Sequence, residues 1–341
     1  MNSGMKVQCA DHENCMGINM AVQYNCGVAI ATYNGENFIA EQLNSILNQT
    51  VKPDLIVVSD GGSDDNTVAV CEDILSGSGV AYKLLTSDGR LSIKDNFEKC
   101  ISFCEADYIF ISDQDDVWRD TKIEDYLSLV YQYHPSMIFS NALLVNENLE
   151  SKGKTLWDSI NYHVRNDVTV YQPNDYRYYS ELFKHNIVTG MCMMINRRYL
   201  SSIVPFSSYA IHDTWISNVI GFYGTIIAYN KCEVLYRQHN NNVIGTTTSL
   251  KKLYAHRDQY LSKLKNKICL VKDVLAKCTS DDIKGQYKKY LDFLVYRKKI
   301  INGNCHAVSI IKYGKKYKQY CSDWKIIILK DLYTRVRKKD I

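Results

Sequence analysis

The stretch ISDQDDVW at 111–118 sets Asp113, Asp115 and Asp116 within four residues, behind an apolar run and ahead of Trp118. Carboxylates crowded this closely repel, and a folded chain that keeps them needs something to neutralise them. A hard divalent cation is one answer. Mg²⁺ takes oxygen ligands and binds through one or two carboxylates plus the phosphates of a substrate. A D-x-D on the loop after a buried strand supplies such a half-site; a solvated acidic turn is the plainer alternative. The twelve-residue ligand pattern of an EF-hand is absent.

A second acidic cluster, Asp60-Gly61-Gly62-Ser63-Asp64-Asp65, joins carboxylates to glycines that permit a tight turn. Asp60 there can accept hydrogen bonds from a nucleobase edge, or the acids can stabilise the start of a following helix. Neither G-x-G-x-x-G nor G-x-x-x-x-G-K-[ST] accompanies it, which argues against an NAD enzyme or a P-loop NTPase. Arg90 and Lys94 lie within reach of phosphates in sequence terms, or on a solvated face. Gly190 in VTGMCMM admits close backbone approach to a ligand, or a tight turn.

These residues need elements to carry them. GVAIAT (27–32), DLIVVSD (54–60), AYKLLT (81–86) and ADYIFISD (106–113) read as buried strands. They alternate with helical spacing over 35–49, 61–75 and 92–104, where Ser63 or Asp64 is the expected cap of the second helix and Val68, Cys71 and Leu75 its inner face. Strand–helix alternation predicts an α/β fold, a doubly wound and mostly parallel sheet covered on both faces. Ligands bind such sheets beyond the carboxyl ends of the strands. Thr32-Tyr33-Asn34, Asp60-Gly61-Gly62 and Asp113–Asp116 should therefore meet on one rim. Further on, 136–146 and 189–196 read as strands and 210–224 as a helix with Ile211, Trp215, Val219 and Phe222 inward. Residues 225–242 read as two short strands ending in a polar tip.

At 341 residues the chain has room for one large domain or two. The expected division is an irregular extension over 1–24, an α/β domain over 25–248, and a helical, tyrosine-rich region over 249–341. The net charge is +4 but uneven: from Lys251 onward there are 24 Lys and Arg against 8 Asp and Glu, leaving 17 against 29 before it. No apolar run is long enough to cross a bilayer, and the N-terminus lacks an apolar signal core, so a cytoplasmic location is expected. The twelve cysteines are scattered without a CxxC pair and read as reduced thiols. Cys9, His12 and Cys15 make only half a zinc site.

VAIATYNGENFIAEQLNSILNQTVKPDLIVVSDGGSDDNT followed by FISDQDDVW resembles family 2 glycosyltransferases of the GT-A fold. With HDTW and YRQHNNNVIG, the likeness extends to bacterial rhamnosyltransferase-like members that build surface polysaccharides, over roughly residues 25–245. The resemblance implies an inverting transfer from a nucleotide-sugar donor, best taken as dTDP-rhamnose or otherwise a UDP-hexose, with Mg²⁺ or Mn²⁺ as cofactor. It puts Thr32, Tyr33 and Asn34 around the nucleoside and Asp60 on the base. Asp115 becomes the metal ligand, Asp113 a ribose or metal ligand, and Asp213 the catalytic base. His239, with Arg237, would close over the metal or diphosphate. Trp118, Trp157, Gly190, His212 and the loop 147–187 are weaker candidates for the sugar pockets. The acceptor would be an oligosaccharide or a lipid-linked glycan. The basic C-terminal region suits the anionic inner face of a membrane rather than nucleic acid, or else is a solvated helical pack that buttresses the catalytic domain. A catalytically silent glycan- or membrane-binding relative is the rival reading.

Overall fold

The computed structural model describes residues 23–239, 257–303 and 308–336. Most of the expected N-terminal extension, the half zinc site and the tip beyond His239 lie outside the described residues. Strand β1 (Cys26–Thr32), α1 (Ile39–Leu47), β2 (Leu55–Asp60), α2 (Thr67–Ser76), β3 (Ala81–Leu85), α3 (Ile93–Phe103) and β4 (Tyr108–Ser112) follow the alternation read from the sequence. All residues of β4 and all but one of β1 are buried, as expected of strands covered on both faces. Ser92 caps α3 by accepting from the Asp95 amide. The cap of α2 differs from expectation: Asp65, rather than Ser63 or Asp64, accepts from the Thr67 amide at 3.0 Å. Ser63 turns back to donate to Asp60.

The chain continues through β5 (Val117–Trp118), α4 (Lys122–Tyr133), β6 (Met137–Val145), β7 (Ser151–Thr155), α5 (Leu156–Ser159), β8 (Val168–Tyr171) and α6 (Tyr176–Lys184). Then come β9 (Met193–Asn196), α7 (Leu200–Ile203), α8 (His212–Ile220) and β10 (Ile226–Arg237). The main sheet runs β3-β2-β1-β4-β9-β6-β10-β5, with β7 on β6 and β8 on β10. Its first four strands are all parallel, and β9 is antiparallel to both neighbours. Strand order reverses at β1, which has β2 on one side and β4 on the other, so the crevice between the ends of β1 and β4 is a topological switch point.

Two expectations need correction here. Residues 226–237 form one strand, not two, because register shifts at Tyr229/Cys232 and Cys232/Val234 absorb the polar Asn230-Lys231 interruption without ending the pairing with β6. The segment from Gly190 to Cys192 is a 3₁₀ turn ahead of β9, not strand.

Helices α9 (Arg257–Lys277), α10 (Asp281–Ile301), α11 (Val308–Tyr320) and α12 (Trp324–Val336) close the described chain. They share one continuous core with the sheet domain. Tyr287 of α10 packs edge-on to Phe183, Tyr179 and Phe222, and its hydroxyl donates to Asn218 of α8 at 2.7 Å. Among the described residues nine cysteines are free thiols.

Candidate active site

Parallel pairing in register brings Thr32 beside Asp60 at the ends of β1 and β2. The buried Asp60 carboxylate accepts from the Thr32 hydroxyl at 3.0 Å, the Ser63 hydroxyl at 2.5 Å, and the amides of Gly62 and Ser63 at 3.0 and 2.8 Å. Four donors fill its acceptor sites. Asp60 thus fixes the 60–63 turn, and a base edge would have to displace one of these donors to be read by it. Gly62 is at φ +86 with the Gly89 backbone 2.9 Å from where a Cβ would stand, so the turn admits only glycine.

Across the switch point the Gln114 side chain clamps the Tyr33 backbone, accepting from its amide at 2.8 Å and donating to its carbonyl at 3.1 Å. Asn34 takes a positive φ, donates its amide to Ser63 and accepts from Asp64. The Arg90 guanidinium lies 4.5 Å above the Tyr33 ring. Lys94 pairs with Asp95 and Glu98 at the start of α3.

The three carboxylates after β4 have separate environments. Asp115 meets the His239 ring nitrogen at 2.7 Å, and that ring stacks on Phe38 at 4.8 Å. Asp116 is fully buried; one oxygen accepts from the Arg237 amide at 3.0 Å and the other has no hydrogen-bond partner. Its pKa is pushed well up by burial and then by the charges of Asp115 and Asp113, so it locks β10 in place and does not face a ligand. Asp113 keeps some exposed surface but is packed round by protein. Its carboxyl is raised first by loss of water, then by Asp115, then by Asp213. Asp213, distant in sequence, is thus among the charges felt by this carboxyl.

Beneath these acids sits Lys122 of α4, completely buried, donating to the Met191 carbonyl at 2.7 Å and lying 3.6 Å above the Trp118 ring. Burial lowers its pKa to about 8, while Asp116 and Asp113 are among the charges that oppose the shift. Part of the neutralisation is thus built into the protein. Sequence reasoning missed Lys122 and Gln114. The signal was present: Lys122 falls one turn before Tyr126 on the inward face of an amphipathic helix.

Asp213 occupies the first turn of α8 and is buried. It accepts from the amide and the hydroxyl of Thr214, the latter at 3.0 Å. Burial raises its pKa to about 6 against the pull of these donors and the Gly190 amide. The neighbouring His212 ring stacks on Phe97 at 3.6 Å, has no hydrogen-bond partner, and is pushed by burial down to about 3, so it is a neutral packing group. A Cβ on Gly190 would stand 2.2 Å from that ring. The 190–192 turn and the start of α8 are therefore fitted to each other.

Three of the weaker pocket candidates fall elsewhere. Trp118 is 2% exposed and packs on Phe110, and Trp157, also 2% exposed, packs against Tyr162 and Phe139. Both are core, because β5 and α5 turn their rings under the sheet. Arg237 is nearly buried, with its guanidinium on Glu41 and on the carbonyls of Asp115 and Glu147. It braces the Asp115 loop.

For a divalent cation the donor chemistry fits as a half-site. Asp113 and Asp115 offer oxygens on one loop, and among the described residues no group of three or more His, Cys, Asp or Glu is arranged to hold a metal unaided.

The family model described as glycosyl transferase family 2 matches residues 27–204. The chain is 28% identical over 233 residues to dTDP-rhamnosyl transferase RfbG of Shigella flexneri, covering 66% of this chain and 76% of that protein. It is 26% identical over 125 residues to the UDP-Glc:alpha-D-GlcNAc-diphosphoundecaprenol beta-1,3-glucosyltransferase WfgD of Escherichia coli, 37% of this chain and 48% of that protein. Among solved structures, residues 1–349 of TarS from S. aureus in complex with UDP-GlcNAc align with a TM-score of 0.58 at 12% identity, covering 93% of this chain and 88% of that one. The mannosyltransferase PcManGT from Pyrobaculum calidifontis, with GDP-Man and Mn²⁺, aligns at 0.51 and 12% identity over 93% and 87%. At such identities the structural likeness is one of fold.

Proposed function

The chain belongs to glycosyl transferase family 2, and on that premise we propose an inverting, divalent-cation-dependent transfer of rhamnose from dTDP-rhamnose to a growing surface polysaccharide. The likeness to RfbG favours rhamnose; the likeness to WfgD keeps a UDP-hexose as the second reading. One observation supports the proposal above the others: β9 pairs with β4, and the 190–192 turn that leads into β9 packs against His212, so the start of α8, with Asp213, is held against the strand that carries the Asp113–Asp116 loop.

Thr32, Tyr33, Asn34 and the 60–63 turn line the nucleoside. Asp115, with Asp113, holds the cation, which when bound offsets charge building on the departing nucleoside diphosphate. His239 steadies the Asp115 carboxylate. Asp213 takes the proton from the acceptor hydroxyl as that oxygen bonds to the anomeric carbon and the bond to the diphosphate breaks on the opposite face. Direct displacement inverts the centre, and no covalent enzyme intermediate forms.

Among the described residues no helix is long and apolar enough to cross a membrane. A lipid-linked acceptor is instead met at an anionic inner surface through α12, where Ile326 and Leu329 are 42% and 66% exposed beside Lys325.

The test is hydrolysis of dTDP-rhamnose and UDP-glucose with Mn²⁺ and after chelation. Wild type should hydrolyse one of them only with the metal, and Asp115→Ala should lose the metal response. If no nucleotide sugar is hydrolysed and none raises the melting temperature with Mn²⁺, the proposal fails.

A further inference from the structure

A cavity of about 360 Å³ lies where α8 faces α9 and α10. That is at the lower end of the roughly 300–1,000 Å³ typical of small-molecule sites. Thr214 forms part of its wall, and the same Thr214 hydroxyl donates to the Asp213 carboxylate at 3.0 Å. The cavity is therefore one hydrogen bond away from the proposed base. Its opposite wall is α9, which contributes Lys263, Asn266 and Lys267.

Lys263 and Lys267 are one turn apart on one helix face. Neither is in any ion pair found among the described residues. The Lys267 ammonium lies 5.5 Å from the Tyr290 ring, whose hydroxyl is buried without a hydrogen-bond partner. Tyr209, 44% exposed, closes the rim. Two unpaired ammonium groups on a concave wall attract an anion, and lysine binds phosphate as a point charge. Rings and amides beside them suit the faces and hydroxyls of a sugar. Free phosphate alone would not need that wall.

We propose that this cavity receives a glycosyl phosphate, the phosphate-bearing sugar of the acceptor. The phosphate lies on Lys263 and Lys267, and the sugar lies against Tyr209 and Asn266 with its free hydroxyls toward Thr214 and Asp213. The inference rests on the transferase reading, and it gives the basic helices a role in acceptor choice.

Calorimetry on the full chain without nucleotide, using glucose 1-phosphate, glucose and inorganic phosphate, tests it. Glucose 1-phosphate should bind at least about tenfold more tightly than glucose, since a charge-assisted contact is worth about that factor, and more tightly than inorganic phosphate, which lacks the ring that lies against Tyr209 and Asn266. Lys263→Gln with Lys267→Gln should remove that advantage, Lys267→Arg should keep it, and Asn266→Trp at an exposed position should block the cavity. Binding of dTDP or UDP with Mn²⁺ should be unchanged in all three. A hexose joined through diphosphate to a short isoprenyl chain separates the sources: tighter binding marks a lipid-linked acceptor, equal binding a soluble glycosyl phosphate. Equal affinity for inorganic phosphate, no binding of any anionic probe, or indifference to the lysines overturns the proposal. If the nucleotides fail to bind while glucose 1-phosphate still responds to the lysines, the donor reading falls and the cavity assignment stands.

Discussion

At the scale of single residues, the chemistry turns on how differently the environment treats like carboxylates. Asp60 is saturated with donors, Asp116 is buried with one oxygen orphaned, and Asp213 is desolvated but accepts from Thr214. A general base works best with a pKa near the working pH, and burial lifts Asp213 to about 6. The sign is set by the base role: activity requires the ionised form and should rise with pH through that value. A pH profile of kcat should therefore show an acid limb near 6. Asp213→Asn should lower kcat by ~10²–10⁴-fold and abolish the limb. Its melting temperature at pH 7 should not fall, because the variant no longer places a charge in a dry site. A variant that keeps the limb would assign it to another group.

At the scale of elements, α4 and the 190–192 turn set where Asp213 stands. Lys122 and Tyr126 of α4 donate to the carbonyls of Met191 and Cys192, both at 2.7 Å, and Gly190 then meets the His212 ring. Gly190→Ala should cost about 1–3 kcal/mol in urea unfolding, the usual penalty of overpacking. It should also lower kcat more than it raises donor KM, because the displaced element carries the base and not the nucleotide. Equal stability would mean that the ring swings away freely. The alternation of β1 through β4 was legible because buried strands and amphipathic helices differ in period. The rim clusters were legible because polar residues at strand ends have few other uses. Lys122, Gln114 and the core positions of Trp118 and Trp157 were not: the first two depend on contacts 69 and 81 residues apart, and the tryptophans sit in a two-residue strand and a four-residue helix, both too short to show a period.

At the scale of the whole molecule, the basic helices marked out by the charge asymmetry share one continuous core with the sheet domain. Sequence periodicity cannot reveal this, because tyrosines such as Tyr287 read as amphipathic surface until their partners are known. The clearest tie within the helical region is a buried polar network. Arg297 donates to both oxygens of Asp331 at 2.8 and 3.0 Å, and the hydroxyls of Tyr260 and Tyr317 donate to the same carboxylate at 2.6 and 2.7 Å. One fully buried acid thus joins α9, α10, α11 and α12. Removing one partner of a buried ion pair leaves the other uncompensated and typically costs ~3–5 kcal/mol. Asp331→Ala should lower stability by about that amount, and Arg297→Met added to it should recover part of the loss. The form of the melt then discriminates between two architectures. Because the helices share a core with α6 and α8, the variant should unfold in one transition at a lower temperature, with donor hydrolysis lost along the same curve. A separate early transition that leaves donor hydrolysis intact would show instead that the helices are an independent unit resting on the catalytic domain.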